Sequence, residues 1–194
     1  MLSKFSYWMY EAELSKRTCN KIINHFKKIQ PKNAEVGFDS SINHDIRNSD
    51  VVFSADPELY EIITPLIDNA NKSAGWNVDI DWHESIQFTI YNKKQHYDWH
   101  TDNLEEPYGE KSHINYQGKI RKLSTCVSLT DPKKYEGGDF YFNFGKEKIP
   151  TKIPEFKKQG SVIVFPSFIW HKVTPITKGT RYSLVNWSLG APWR

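Results

Sequence analysis

Cysteine is scarce in this sequence, with Cys19 and Cys126 the only two among 194 residues. Their spacing builds neither a disulfide framework nor a zinc site, so a reducing compartment, the cytoplasm, is expected. There is no run of about 18 apolar residues, which excludes a helical membrane span. Nor does the start of the chain carry an apolar stretch followed by a small-residue cleavage site. An excess of one charge is missing too: 26 basic against 23 acidic residues leave +3. That is too little for a nucleic-acid or anionic-membrane partner to be recognised by bulk charge. No internal repeat or linker divides the chain, and its length fits one domain, 1–194.

What the sequence does have is aromatic bulk, with 7 Trp, 10 Tyr and 11 Phe, enough for a real core. Cys19, Ile22, Ile23, Phe26 and Ile29 recur at helical spacing behind Ser15, which predicts an amphipathic helix to about Ile29. Asp56-Pro57-Glu58 supplies a cap, a first-turn proline and an acid for a second helix. Its stripe is Leu59, Ile62, Ile63, Leu66, Ile67 and Ala70, and Gly75 ends it. Pro65 interrupts that stripe and predicts a kink or a restart with Thr64 as cap.

From about Trp76 the period changes to two. Ile86, Phe88 and Ile90 alternate with Gln87, Thr89 and Tyr91; Leu123, Thr125, Val127 and Leu129 alternate with Ser124, Cys126 and Ser128; Phe140, Phe142 and Phe144 form a third such run. Two more strands are expected at 162–165 and 181–189. Helices first and many short strands after them predict an α+β, mainly β, architecture: a jelly roll over about 76–194 with helical N-terminal support over about 1–75. Residues 103–119 are polar, carry two glycines and a proline, and read as a lid or a mobile insertion.

Chemistry concentrates in the run His96-Tyr97-Asp98-Trp99-His100-Thr101-Asp102. Residues two apart on a strand point the same way, so either His-x-Asp pair can offer an imidazole and a carboxylate to one metal ion. His171, behind an apolar strand, is the candidate third ligand. Two imidazoles and one carboxylate on one face of an octahedron leave three adjacent positions open, which suits non-haem Fe(II) with a bidentate cosubstrate and dioxygen. Arg181 and Ser183 share one face of the last strand, and a guanidinium fork beside a hydroxyl suits the far carboxylate of a dicarboxylic acid.

Residues 91–102, 121–129, 160–187 and the run Gly137-Gly138-Asp139-Phe140-Tyr141-Phe142 together resemble the iron- and 2-oxoglutarate-dependent dioxygenases, most closely their prolyl 4-hydroxylase branch. The resemblance implies a double-stranded β-helix, a jelly roll whose mouth holds the iron. It also selects among the ligands: His100, Asp102 and His171, because the family places a tyrosine nine or ten residues before its first histidine, as Tyr91 is before His100. Tyr91 would then hydrogen-bond 2-oxoglutarate, Arg181 would clamp its distal carboxylate with Ser183 beside it, and His96 and Asp98 would be loop residues. Trp187 would lie over the cosubstrate and substrate pocket, and Arg121 would face the substrate. Three positions depart from particular branches. Ser128 stands where oxygen-sensing prolyl hydroxylases have a tyrosine, collagen-type enzymes use a lysine where this chain has Arg181, and Arg181-x-Ser183 echoes small-molecule oxygenases.

The function that follows from the resemblance is a hydroxylase that uses Fe(II), 2-oxoglutarate and O2, with ascorbate as a supporting reductant, and releases succinate and CO2. Its expected substrate is a prolyl residue in a peptide or protein, hydroxylated at C4. The alternatives are hydroxylation of a free amino acid or other small molecule, and a jelly-roll binding module without catalysis. Nucleic-acid dealkylation is disfavoured because such enzymes carry a second arginine where this chain has Trp187. Halogenation is disfavoured because Asp102 retains the carboxylate ligand.

Overall fold

Period-two alternation gives a strand two chemically different faces, and sheets form to cover the apolar one. In the computed structural model, which describes residues 5–34, 43, 45–145 and 149–193, two antiparallel sheets pack against each other. Among the described residues the larger sheet runs in the order Trp8–Tyr10, Val162–Pro166, Ile120–Ser128, Arg181–Gly190, Ile86–Tyr91, Asp50–Ser54 and Lys32–Asn33, with Trp82–His83 paired to the end of Arg181–Gly190. The smaller runs Thr151–Lys152, Phe140–Asn143, Trp170–Val173, His96–His100 and Arg47–Asn48. This is the mainly β jelly roll that the strand pattern predicts.

Helix α1 spans Lys16–Phe26, and the Ser15 hydroxyl accepts the Thr18 N–H at 3.0 Å as its cap. It stops three residues short of the predicted end, leaving Ile29 41% exposed. Helix α2 spans Pro57–Ser73 and is capped by Asp56, whose side chain accepts the Glu58 N–H at 3.0 Å. The restart expected at Thr64 does not occur. Pro65 and Glu61 both lie on the solvent side, so the Glu61 carbonyl that loses its partner to the proline meets water rather than an apolar wall.

The N-terminal part is also less purely helical than predicted. Trp8–Tyr10 and Asp50–Ser54 add strands to the larger sheet, and Arg47–Asn48 closes one edge of the smaller. These pairings join segments far apart in sequence, and short strands of two to five residues have too few alternations to register as a period.

Both helices lie on one face of the larger sheet, where Ile22, Phe26, Ile63 and Ile67 meet Phe88, Val127 and Leu184. Phe26 stacks on Phe88 with ring centroids 4.7 Å apart. The opposite face looks toward the smaller sheet across a second cluster that includes Phe140, Phe142, Ile163 and Phe165. At one end of that intersheet space the aromatic packing gives way to polar side chains. None of the described helices is long and apolar enough to cross a membrane.

Candidate metal centre and adjoining chambers

Strand pairing brings the three expected ligands together. His100 ends its strand directly opposite His171 in the register of the smaller sheet. Asp102 lies two residues beyond that strand, tethered by its N–H to the Ser167 carbonyl at 2.9 Å. One ligand atom from each of the three lies within 4.8 Å of the others. His100 Nε2 is 3.8 Å from Asp102 Oδ1, and His171 Nε2 is 3.5 Å from Asp102 Oδ2.

The backbone carbonyls behind the two imidazoles favour metal binding. Nδ1 of His100 is 2.7 Å from the Asp98 carbonyl, and Nδ1 of His171 is 2.9 Å from that of Ile169. A carbonyl accepts only, so each Nδ1 carries the proton and each Nε2 turns its lone pair toward Asp102. Burial, then the nearby His171, pushes the His100 pKa well below its ordinary value and keeps that imidazole neutral. For Asp102, burial alone would raise the pKa. The facing His171 and His100, followed by Arg121 and a hydrogen bond from Ser124, outweigh it and hold the carboxyl at about 2. Two imidazole nitrogens and one carboxylate converging on one point form a donor set for a divalent ion such as Fe(II).

The rival pair is not in the loop that the resemblance implies: His96 and Asp98 both lie in the strand His96–His100, because that strand pairs with Arg47–Asn48 and Trp170–Val173, and neither belongs to the donor set. Asp98 is exposed, and His96 Nε2 lies 3.1 Å from the Asp45 carbonyl.

An inner chamber of about 30 Å³, room for a water or two, adjoins the triad and is lined by Tyr91, Cys126, Arg181, Ser183 and Trp187 among others. Arg181 is 3% exposed and pairs across the sheet with Tyr91, whose ring lies 5.5 Å from its guanidinium carbon. Its Nη1 donates to Ser183 Oγ at 3.3 Å, and no carboxylate among the described residues forms an ion pair with it. Buried arginines are ordinarily paired, so this one fits an anionic ligand. Gly138 makes room for it: at φ +62°, a Cβ there would stand 2.5 Å from Ile176 Cδ1 and 3.0 Å from Arg181 Cδ.

An outer cleft of about 350 Å³ opens beyond Tyr97 and Trp187, which line both spaces. The Tyr97 ring stacks on His100 with centroids 3.3 Å apart, and the Arg47 guanidinium lies 4.7 Å from the same ring. Arg121 is in this cleft, but its guanidinium is engaged: Nε and Nη2 donate to Glu84 at 2.6 and 2.8 Å while the group lies 3.9 Å from the Trp187 ring. Tyr108, from the segment 103–119, donates to the same Glu84 at 2.8 Å. That segment also closes on itself through the Tyr108 and Lys119 backbones, and it supplies Asn103, Leu104 and Tyr108 to the cleft wall.

Glu84, Arg47 and Tyr97 were not singled out from the sequence. Glu84 and Arg47 reach the cleft only through pairings across tens of residues and carry no local signal. Gln87 and Cys126 did carry one, because both sit in the polar phase of alternating strands. Burial pushes the Cys126 thiol up to about 12, which keeps it protonated beside the triad.

Several curated relatives are PKHD-type hydroxylases. One from Synechococcus sp. (strain CC9311) is 35% identical over 95 residues, 49% of this chain and 37% of the relative. Another, from Nitrosomonas europaea, is 27% identical over 143 residues, 70% of this chain and 58% of the relative. The chain thus spans roughly 37–58% of the length of the curated relatives it matches. Among solved structures, a Pseudomonas putida prolyl-4-hydroxylase aligns with TM-score 0.71 at 15% identity over 94% of this chain and 92% of its own. A Trichoplax adhaerens prolyl hydroxylase in complex with a hypoxia-inducible-factor peptide aligns with TM-score 0.73 at 17% identity, covering 94% of this chain and 83% of its own. At those identities the likeness is one of fold. A profile of the 2OG-Fe(II) oxygenase superfamily matches residues 86–189, a stretch that holds His100, Asp102, His171 and Arg181 and makes up more than half of the sequence, and the chain therefore belongs to that superfamily.

Proposed function

We propose that this protein is a 2-oxoglutarate- and O2-dependent hydroxylase that acts on a prolyl residue of a peptide or protein and releases succinate and CO2. The observation that carries the reading is Arg181, a buried guanidinium without an acidic partner among the described residues, in the same chamber as the His100, Asp102 and His171 donor set. A charge in that position is costly unless an anion joins it. A dicarboxylic oxo acid supplies that anion at one end and metal-binding oxygens at the other.

His100, Asp102 and His171 would hold Fe(II), which supplies dioxygen activation and the oxidative decarboxylation of the oxo acid. Arg181 binds and orients the distal carboxylate through its planar fork, and Tyr91 and Ser183 flank it. Tyr97 and Trp187 stand between the inner chamber and the outer cleft and limit water access to the reacting centre. Access for a dicarboxylate requires Tyr97 to move, because the ring stacked on His100 leaves too little room.

The prolyl assignment draws on the names of the relatives and on the outer cleft. That cleft is open to solvent, lies against the metal site, and offers Tyr97 and Trp187 as walls for an apolar ring. The test combines purified protein, Fe(II), ascorbate and 2-oxoglutarate, with succinate measured with and without proline-containing peptides. The expected result is peptide-stimulated succinate and a gain of one oxygen on proline by mass spectrometry. Succinate stimulated by a free amino acid with no peptide modified would replace the prolyl reading with the small-molecule one. Absence of 2-oxoglutarate binding would leave a binding module.

A further inference from the structure

Outside the metal centre, a cavity of about 630 Å³ is lined by residues of helix α2, of the segment 80–85 and of the segment 103–119. Its walls have a distinct composition. Tyr60, Trp82, His83 and Tyr116 supply rings, and Asp68 and Asp81 supply carboxylates, whereas no lysine or arginine is among the described residues that line it. In a chain with more basic than acidic residues, that is a local reversal of charge.

The polar groups of these walls are acceptors. Asp81 is paired with Lys119 at 3.2 Å, but Asp68 forms no ion pair among the described residues. Asn186 Nδ2 donates to the Glu84 carbonyl at 2.9 Å, which turns its Oδ1 toward His83 Nδ1 at 3.2 Å. An amide oxygen only accepts, so Nδ1 carries the proton and Nε2 keeps its lone pair. Burial lowers the His83 pKa, against the opposing pull of the Asn186 hydrogen bond and of Asp68, and that imidazole stays neutral. The Tyr60 hydroxyl is spent on the Glu84 carbonyl at 2.9 Å, which leaves the ring to a ligand. Electron-rich ring faces, a carboxylate without a cation and a neutral imidazole attract an organic cation and offer an anion nothing.

The cavity shares a wall with the outer cleft. Glu84 lines the cleft, while its neighbours His83 and Ser85 line the cavity. Tyr108 belongs to the cleft and Tyr116 to the cavity, and their ring centroids are 5.4 Å apart. The partition is thus about one pair of side chains thick. An extended peptide advances about 3.3 Å per residue, so a side chain a few residues from one held in the cleft can cross it.

We propose that this cavity is a second recognition site, which takes the basic side chain of a lysine or arginine a few residues from the prolyl ring in the peptide substrate. Trp82 and Tyr60 face the cation with their rings, and Asp68 neutralises it. The inference rests on the proposed action on a peptide and adds a requirement on that peptide's sequence.

The test has two arms. In the first, the Trp82 indole N–H signal of nitrogen-15-labelled protein, identified by its loss in Trp82→Phe, is followed while n-butylammonium or n-propylguanidinium is added, with sodium chloride and 1-butanol as controls. Saturable shifts with the organic cations alone are expected, and Asp68→Asn should raise their Kd about threefold. In the second, capped peptides carry one proline and either lysine or norleucine at each of several distances from it. At one or more distances the lysine peptide should have a KM about fivefold below that of its norleucine counterpart, and Asp68→Asn should bring that ratio close to one. If neither cation shifts the Trp82 signal, the inference is overturned, and the prolyl reading stands wherever peptides are turned over. Cation binding with equal KM values for lysine and norleucine peptides at every distance also overturns it, since the cavity would then serve a free cation. Cation binding without turnover of any proline peptide overturns the prolyl reading and the peptide assignment together.

Discussion

The side of the larger sheet that faces the helices presents Ile86, Phe88, Leu123, Val127, Val164 and Leu184, whereas the other side of the same strands presents Gln87, Tyr91, Cys126, Ser128, Arg181 and Ser183. All of these are buried, so exclusion from water does not distinguish the two sides. What distinguishes them is completeness. The helix side is filled by atoms in contact, such as the stacked Phe26 and Phe88 rings. Among the described residues the chamber side retains a guanidinium without an anion and an unbonded hydroxyl, and it looks toward three ligand atoms of the opposite sheet and its following loop that converge on one point. Stability is drawn from the first side, and the second gives some of it up to keep groups ready for a ligand.

The sharpest way to test that contrast is to alter each side and read both properties. Phe88→Ala removes a fully buried ring from the helix side and should cost about 3–5 kcal/mol in denaturant unfolding, with the Fe(II) affinity of the folded fraction within twofold of wild type. Asp102→Ala on the chamber side should lower Fe(II) affinity at least about 100-fold in a metal titration, while Asp98→Ala, on the exposed strand position, changes it less than twofold. Equal effects of the two aspartates would mean that the triad is not the metal site.

Protonation gives a smaller effect with a definite sign. The His100 pKa lies well below its ordinary 6.5 in the folded chain, chiefly through burial and then through His171. Below pH 6.5 the unfolded chain therefore binds a proton that the folded one refuses, and metal-free stability should fall as pH drops, by at most about 1.4 kcal/mol per unit. His83 shifts the same way through burial. His100→Gln should accordingly flatten the pH profile between 6.5 and 5 only in part, as read by urea midpoints. The Asp102 contribution has the same sign but is lost only lower, from about its ordinary 3.8 down to about 2. Arg181→Lys should be the mildest of these changes: about a tenfold rise in the 2-oxoglutarate KM, with iron binding unchanged, because the charge remains and the fork is lost. An unchanged KM would make Arg181 structural and erase the contrast between the two faces.

The sequence by itself determined a good deal of this protein. The strand periods, the caps at Ser15 and Asp56, and the spacing from Tyr91 through the two His-x-Asp pairs to His171 and Arg181 are local patterns. A strand of period two needs only its own residues to declare which side chains share a face. Even so, the sequence left open which His-x-Asp pair turns to the metal, and only the resemblance to a known family selected His100 and Asp102. The fold explains that choice through the pairing of His100 with His171, a contact across some seventy residues. Tertiary structure alone decided that Arg121 is engaged by Glu84, that Tyr97 divides the two chambers, that Arg47 joins their wall, and that short strands from the N-terminal part enter both sheets. The physical reason is the same in each case. Alternation records that a side chain leaves water, but the partner it meets there is supplied by another strand, and no periodicity within one segment encodes the register between two.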